Sequence, residues 1–296
     1  MAITQELERI ATMVEARLDA LLEPEPLPSG QARLIEAMRY AVLGGGKRLR
    51  PFLLIESARL FGLAEERAID AGAALECVHC YSLVHDDLPS MDDDQVRRGR
   101  PTAHIAFGEA TAILAGDALL TLAFDILSRP STHEDASIRV ELIALLARAA
   151  GTGGMAGGQA LDLATEGQSV AAMEVARMQR MKTGALFAFA CAAGAVLGRA
   201  DAMAGEALAA YASAFGQAFQ LADDLLDAQG DAAAMGKAAA KDAGRGKATL
   251  VALLGIDGAR ARLAALVEDA EVSLAPFGDR AERLKQAARF VASREA

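Results

Sequence analysis

The chain has 296 residues, of which 53% are hydrophobic and only 4% aromatic, and it contains no tryptophan. Alanine and leucine, which favour helices, are abundant, whereas the residues that suit strands are scarce. The formal net charge of −10 argues against nucleic acid or an anionic membrane surface as the principal partner. The composition therefore predicts an all-α protein.

Helical periodicity extends over most of the sequence and is interrupted at proline and glycine. The predicted helices are 3–22, 31–43, 51–62, 65–87, 102–128, 134–164, 170–197, 202–229, 247–254, 257–274 and 279–294. No shift in composition divides the chain, so we predict one domain, 1–296, with about ten or more helices. The first residues lack a secretory signal pattern, and the longest uncharged runs are too short to span a membrane, which indicates a cytoplasmic protein.

The first candidate functional segment is a glycine turn followed by cations. Gly44, Gly45 and Gly46 precede Lys47, Arg48 and Arg50. Glycine lets backbone N–H groups approach a phosphate, and the cations would neutralise its charge. A loop capped by solvated basic residues is the alternative interpretation.

The next predicted helix, 65–87, contains Cys77, His79 and Cys80 and ends at an acidic cluster. With His79, the two cysteines resemble half of a zinc site, but no second pair exists, since Cys191 stands alone, so a zinc site is disfavoured. The acidic cluster comprises Asp86, Asp87, Asp92, Asp93 and Asp94. Such crowded carboxylates repel one another unless positive charge lies among them.

Basic residues follow this cluster directly, at Arg97, Arg98 and Arg100, and could contact a diphosphate through two nitrogens each. Pro89 ends the helix, so that Asp92 can fold back beside Asp86.

His85 is interpreted as a polar residue that shapes the site, in preference to a general base. Asp117 and Asp162, in apolar helices, are interpreted as structural carboxylates.

A second acidic cluster ends another long apolar helix. Asp223 and Asp227 are four residues apart and share a helix face, with Asp224 about 100° round the axis. Hard oxygen ligands in this arrangement suit Mg²⁺, whose coordination is usually completed by substrate phosphates and water. A solvated acidic helix end is the alternative for either cluster alone. Two clusters, each delivered by an apolar helix, favour the metal hypothesis.

Taken together, the motifs resemble the trans-isoprenyl (polyprenyl) diphosphate synthase family, and within it the bacterial farnesyl diphosphate synthases. The resemblance runs from about residue 40 to 255 and rests on GGGKRLRP, LECVHCYSLVHDD, DDLPSMD, RRG, the GD at 116–117, GGQALDL, MKTGALF, FQLADDLLD and GK…KD…GKAT. Two positions depart from the pattern: Leu250-Val251 replaces a usual Tyr-Pro, and the C-terminal residues lack a basic ending.

The resemblance implies an isoprenoid-synthase bundle around a deep central cavity, a homodimer, and two substrates, isopentenyl diphosphate and an allylic diphosphate. It also implies three Mg²⁺ ions, with the ligands Asp86, Asp87, Asp92, Asp223, Asp224 and Asp227. The remaining allylic-site residues would be Arg97, Lys182, Thr183, Gln220, Lys237 and Lys247. The head group of isopentenyl diphosphate would bind to Lys47, Arg50, His79 and Arg98.

Product length is predicted from Tyr81, which lies five residues before Asp86 on the same helix, about 7.5 Å deeper. A bulky ring there should stop the growing prenyl tail early, and in the family an aromatic residue at this position accompanies a C15 product. The sequence thus predicts a farnesyl diphosphate synthase. A geranylgeranyl diphosphate synthase is the alternative, and a terpene cyclase or a non-catalytic partner subunit is disfavoured by the intact motifs.

Overall fold

A computed structural model describes residues 3–23, 28–165, 168, 170–234 and 250–293. In this part of the chain the strands occupy only four residues, and the prediction of an all-α protein is confirmed. The described residues form two compact units, which adjoin in sequence between Ala144 and Leu145. The assignment of 1–296 to a single domain stays a prediction.

The first unit begins with α1 (Ile3–Leu21), α2 (Ser29–Val42) and α3 (Leu49–Arg59), followed by a 3₁₀ turn, Glu65–Arg67, and by α4 (Ile69–Asp86). Two short strands, β1 (Val96–Arg97) and β2 (Arg100–Pro101), precede α5 (Ala103–Phe107) and α6 (Glu109–Ser128). Helix α7 (Ala136–Ala150) contains the boundary between the units.

The second unit contains α8 (Met155–Thr165), α9 (Ala172–Gln179), a π-helical turn at Arg180–Gly184 and α10 (Ala185–Leu197). It continues with α11 (Ala202–Ala234), α12 (Leu250–Ser273), a 3₁₀ segment at Ala275–Ala281 and α13 (Glu282–Ala292).

Glycines divide two of the predicted helices. Gly108, with φ of 87°, separates α5 from α6 inside the predicted helix 102–128. The predicted helix 134–164 is likewise interrupted at 151–154, a segment that contains three glycines. In both places glycine adopts or permits backbone geometry that a continuous helix does not use, which a periodic apolar pattern alone does not reveal.

The β-hairpin is a feature that the helical pattern did not predict. Strands β1 and β2 pair antiparallel, with Val96 opposite Pro101 and Arg97 opposite Arg100. The two residues between them, Arg98 and Gly99, have φ of 52° and 74°. A two-residue loop with positive φ at both positions matches the right-handed twist of the strands, and glycine favours it.

A buried arginine connects the helices of the first unit. The side chain of Arg48 is fully buried, and Arg48 donates to Glu76 of α4 at 2.6 Å and to Glu15 of α1 at 2.9 Å. It also donates to the backbone carbonyl of Val42, the last residue of α2. A buried charge is tolerated only when it is paired and hydrogen-bonded in this way. Of the three cations after the glycine turn, Arg48 is therefore structural.

Aromatic packing dominates the core of the second unit. Tyr211 of α11 is fully buried and donates its hydroxyl to the carbonyl of Leu284 in α13, at 2.8 Å. The ring of Phe187 in α10 lies 5.2 Å from that of Phe215 and 5.0 Å from that of Phe219. Buried rings thus fix α11 on both sides. The helix continues to Ala234, so the second acidic cluster lies within it and not at its end as predicted.

Two helical segments are long and apolar enough to cross a membrane by length and composition alone, Glu109–Ser128 and Met173–Leu197. In these segments 39% and 50% of the apolar window is buried. The core helices of soluble proteins pass the same test, so this observation is weak support for a membrane span.

Three carboxylates and two guanidinium groups meet where α1, α3 and the first 3₁₀ turn come together. Carboxylate oxygens of Glu6, Glu56 and Glu65 lie within 4.8 Å of one another. Arg9 pairs with Glu6 and Glu65 at 2.7 Å, and Arg59 pairs with Glu56 at 3.1 Å. Burial raises the pKa of Glu56 to about 7, because the charged form is costly inside the protein.

The free energy of unfolding should therefore fall as the pH rises through 7. Glu56 retains its proton to about pH 7 when folded but loses it near 4.5 when unfolded. Its contribution to stability is thus complete below 4.5 and disappears above 7, a loss of about 1 kcal/mol between pH 6 and pH 8. Urea denaturation at a series of pH values measures this change.

The control for this experiment is an exposed glutamate of α1 in the same unit. Glu56→Gln is neutral at every pH and should flatten the dependence, whereas Glu8→Gln, on an exposed position of α1, should leave it unchanged. Parallel stability curves for the wild type and Glu56→Gln would contradict the assignment of this dependence to Glu56.

Candidate active site

The first acidic motif is folded back on itself at the end of α4. The backbone N–H of Asp92 donates to the carbonyl of Asp86 at 2.8 Å, and that of Asp93 donates to the carbonyl of Leu88 at 3.1 Å. The first of these bonds uses a carbonyl that the end of α4 leaves without an intrahelical partner. This bond brings Asp86 and Asp92 together, as the break at Pro89 predicted.

Asp87, the second aspartate of the motif, is bound within the protein. Arg97 donates to both of its carboxylate oxygens, from Nε at 2.8 and 3.0 Å and from Nη2 at 2.6 Å. Asp87 is 3% exposed, and burial raises its pKa even though the guanidinium acts in the opposite direction. The β-hairpin therefore supplies the counter-charge for the carboxylate at the end of α4.

His85 connects the first motif to α6. Its Nε2 donates to the carbonyl of Ile113 at 3.0 Å, because a carbonyl can only accept. The ring lies against Gly116, where a Cβ atom would come within 2.1 Å of Nε2. It also contacts the edge of Tyr81, with 5.7 Å between ring centroids. Because glycine has no side chain, position 116 leaves the space that the ring of His85 needs to pack against Tyr81.

The residues predicted to bind isopentenyl diphosphate occupy the start of α3, α4 and the hairpin of the first unit. Lys47 is exposed, and Arg50 Nη1 lies 3.4 Å from Nε2 of His79. Burial, reinforced by the neighbouring Arg50 and Arg98, holds the pKa of His79 well below its usual range, so the imidazole is neutral. Arg98 donates to the carbonyl of Gly45, which joins the hairpin to the glycine turn.

The second acidic motif divides its aspartates between two environments. Asp223 is partly buried and Asp227 is exposed, whereas Asp224 is only 7% exposed. Asp224 accepts from the side-chain amide of Gln220 at 2.9 Å and from that of Gln179 at 3.1 Å. Burial raises the pKa of Asp224, opposed by these two hydrogen bonds.

Gln220 also binds the residues of the π-helical turn. Thr183 donates its hydroxyl to the side-chain oxygen of Gln220 at 2.9 Å. The neighbouring Lys182 donates to Asp162 of α8 at 2.6 Å. Single π turns inside helices are frequent at functional sites. Lys182, Thr183 and Gln220 are therefore brought together within the second unit.

Close packing of α8 fixes the position of Lys182. A Cβ atom at Gly158 would lie 2.2 Å from the backbone nitrogen of Lys182. Only glycine permits this approach of two backbones. The sequence singled out GGQALDL as a motif, and the structure supplies its physical reason for Gly158.

Some residues that contribute here were not predicted, and some predicted residues are not described. Gln179, as a partner of Asp224, carried no signal in the sequence beyond its polarity in an apolar helix. The pairing of Asp162 with Lys182 agrees with its interpretation as a structural carboxylate. Lys237 and Lys247, predicted for the allylic site, lie outside the described residues.

The helical fold and the two aspartate motifs define a prenyltransferase. Residues 31–275 match the family model described as polyprenyl synthetase, and the chain belongs to this family. The chain is 46% identical to the farnesyl diphosphate synthase of Escherichia coli K12, over 93% of this chain and 92% of that protein. The farnesyl diphosphate synthase of Haemophilus influenzae is 43% identical, over 93% of each chain.

A solved structure agrees with these relatives. The apo structure of an FPP/GFPP synthase from Zymomonas mobilis has a TM-score of 0.89 and 44% identity, and the alignment covers 98% of this chain and 99% of that one. The predicted resemblance is thereby confirmed. Enzymes of this family depend on a divalent metal ion.

Gly158→Ala should separate α8 from the π-helical turn, because the added Cβ meets backbone atoms that no side-chain rotation can move. We expect a loss of roughly 1–3 kcal/mol in stability. A fall in prenyl transfer should accompany it, because the contact between Asp162 and Lys182 is displaced. Melting curves and initial rates measure the two effects.

Gly205→Ala is the matched control, since nothing lies within 4 Å of a Cβ at this position in α11. It should be neutral, or stabilising by about 1 kcal/mol, because alanine is the better helix former. Equal behaviour of the two variants would refute the close approach at Gly158.

Proposed function

We propose that the chain is a farnesyl diphosphate synthase, a soluble cytoplasmic enzyme that condenses isopentenyl diphosphate with dimethylallyl and then geranyl diphosphate. The observation that carries this proposal is the pair of aspartate motifs, the first at the end of α4 and the second within α11, each with a buried aspartate that accepts hydrogen bonds from protein side chains. The names of the relatives above support the choice of product.

The donor set of both motifs fits Mg²⁺, which prefers carboxylate oxygens and retains several waters. We propose Asp86 and Asp92 of the first motif, and Asp223 and Asp227 of the second, as ligands of three Mg²⁺ ions on the allylic diphosphate. Asp87 and Asp224 complete the predicted set; both are buried, and both accept hydrogen bonds from protein side chains. These ions would withdraw charge from the departing diphosphate as Lewis acids.

The protein residues would bind the two head groups and stabilise positive charge. Lys47, Arg50, neutral His79 and Arg98 would hold isopentenyl diphosphate. Arg97 and Lys182 would contact the allylic diphosphate, together with Lys237 and Lys247. Because Arg97 and Lys182 already lie on carboxylates, both cations are fixed before a diphosphate arrives.

The reaction needs no nucleophilic side chain. The allylic carbon–oxygen bond breaks with its electron pair on the diphosphate, the isopentenyl double bond attacks the resulting cation, and a proton is lost to the diphosphate. The oxygens of Thr183 and Gln220 are electron-rich groups that would stabilise the cation while it exists.

A homodimer forms the last part of the proposal. Helix α6 exposes apolar side chains, with Ile113 44% and Leu114 55% exposed, and Val140 of α7 is 65% exposed. Ile113 and Leu114 are adjacent in α6, and neighbouring exposed apolar side chains are typical of protein interfaces.

Incubation with Mg²⁺, isopentenyl diphosphate and dimethylallyl or geranyl diphosphate should yield the C15 product, and chelation should abolish it. Asp86→Ala and Asp223→Ala should each lower kcat by about a hundredfold or more, because each removes a metal ligand at the leaving group. Chromatography of the dephosphorylated products measures both results.

Asp93→Ala serves as the control, because Asp93 is exposed in the same cluster and is outside the proposed ligand set. Its activity should remain close to that of the wild type. Full condensation activity after exhaustive chelation, or in both ligand variants, would disprove the proposed metal-dependent mechanism.

Tyr81→Ala should lengthen the product from C15 toward C20 or beyond. Tyr81 lies about one and a half turns below Asp86, so its removal opens apolar space for the prenyl tail while the aspartates remain. Product chromatography, together with a melting curve, separates this role from a simple core role, which would cost about 3 kcal/mol without changing the product.

Tyr81→Phe retains the ring and should still release the C15 product. A Tyr81→Ala enzyme that is destabilised but still stops at C15 would assign Tyr81 to the core and leave product length to other residues.

A further inference from the structure

The two oxygens of Asp224 are each the acceptor of a different glutamine. Gln220, one turn earlier on α11, donates to Oδ1 at 2.9 Å. Gln179, at the end of α9, donates to Oδ2 at 3.1 Å. Its sequence neighbour Asp223 is more exposed, and so is Asp227 on the same helix face as Asp223. Asp224 thus differs from both of them in its surroundings.

These contacts determine which way the carboxamide of Gln220 faces. A glutamine side chain has one end that donates and one that accepts, whereas an ionised carboxylate only accepts. Gln220 must therefore turn its NH₂ group to Asp224, which leaves its oxygen facing Thr183. The hydroxyl of Thr183 donates to that oxygen at 2.9 Å. Reversing the amide would place a donor beside Thr183 and an acceptor beside the carboxylate.

We propose that Asp224 is a positioning residue and not a metal ligand. Its carboxylate fixes the amide of Gln220, and the fixed amide in turn orients the hydroxyl of Thr183. This inference rests on the proposed prenyl transfer and deepens it. Gln220 and Thr183 are both partly exposed, so a substrate can reach their oxygens. With the amide fixed, those oxygens present the negative ends of their dipoles to positive charge, a contribution that depends on preorganisation.

Asp224→Asn tests this role with almost no change in shape. An asparagine oxygen can accept from only one of the two glutamines, so Gln220 is no longer held in one orientation. We expect kcat to fall roughly ten- to a hundredfold, while KM for both substrates stays within about threefold. Binding of Mg²⁺ with inorganic diphosphate, measured by calorimetry, should match the wild type. Asp223→Asn should weaken that binding clearly.

Moving the carboxylate to the other side of the contact should restore activity. In the double variant Gln179→Glu/Asp224→Asn, the carboxylate introduced at position 179 can only accept. The amide introduced at position 224 must therefore donate to that carboxylate and offer its oxygen to Gln220, which keeps its original orientation. The double variant should recover most of the lost kcat, whereas Gln179→Glu alone should lose activity because two carboxylates face each other. A melting curve for each variant verifies that it is folded.

A second comparison removes the residue through which Asp224 is proposed to act. In a Gln220→Ala background, Asp224→Asn should cause little further loss of kcat, since the amide that it orients is gone. Three results would overturn the inference. The first is a loss of kcat that is additive for Gln220→Ala and Asp224→Asn, and the second is a diphosphate affinity that falls as much in Asp224→Asn as in Asp223→Asn. The third is a double variant in which Gln179→Glu fails to restore the kcat lost in Asp224→Asn. Those outcomes leave the proposed function intact, provided that the wild type makes the C15 product and Asp223→Asn weakens the binding of Mg²⁺ with diphosphate.

Discussion

Repulsion between adjacent carboxylates is the constraint on which the candidate site depends. Two neighbouring aspartates cannot both remain charged at close range without compensation. The chain resolves this in the same way in both motifs, since the second aspartate of each pair is turned inward and bound by protein side chains. Arg97 neutralises Asp87, and two glutamine amides solvate Asp224. The first aspartate of each pair, Asp86 or Asp223, is the more exposed one.

The pairing of Arg97 with Asp87 explains why the otherwise helical first unit contains a β-hairpin. Asp86 is the last residue of α4, where the helix dipole disfavours negative charge, so a cation must be supplied from outside the helix. A two-residue turn returns the chain at once, and it places Arg97 on Asp87 and Arg98 on the glycine turn. A helix in the same place would have spread these arginines around its axis at about 100° per residue.

The sequence was sufficient for the helical class, the two aspartate motifs and the family, because each depends on composition or on residues close together in the chain. Breaks at Gly108 and at 151–154 were missed, since apolar periodicity continues across them. Contacts between distant residues were also missed. His85 against Gly116 and Gln179 on Asp224 join residues 31 and 45 positions apart, and no local pattern records such pairs. At Arg48 the sequence indicated a role that the structure does not support. Its basic neighbours suggested an anion site, whereas its full burial makes it structural.

Ion pairs within each unit have a further consequence for how an anion would bind. Lys182 lies on Asp162 at 2.6 Å, and Gly158 fixes the backbone of that lysine. Arg97 is similarly held by Asp87. A long cationic side chain normally loses conformational freedom when it binds a ligand, a cost of about 0.5–1.5 kcal/mol for each side chain. In this protein, Lys182 and Arg97 lose that conformational freedom during folding, before any anion binds. The carboxylate partners therefore do more than balance charge, because they also hold each cation in one place before an anion arrives. Under the proposed function, both cations would be in position when the diphosphate binds.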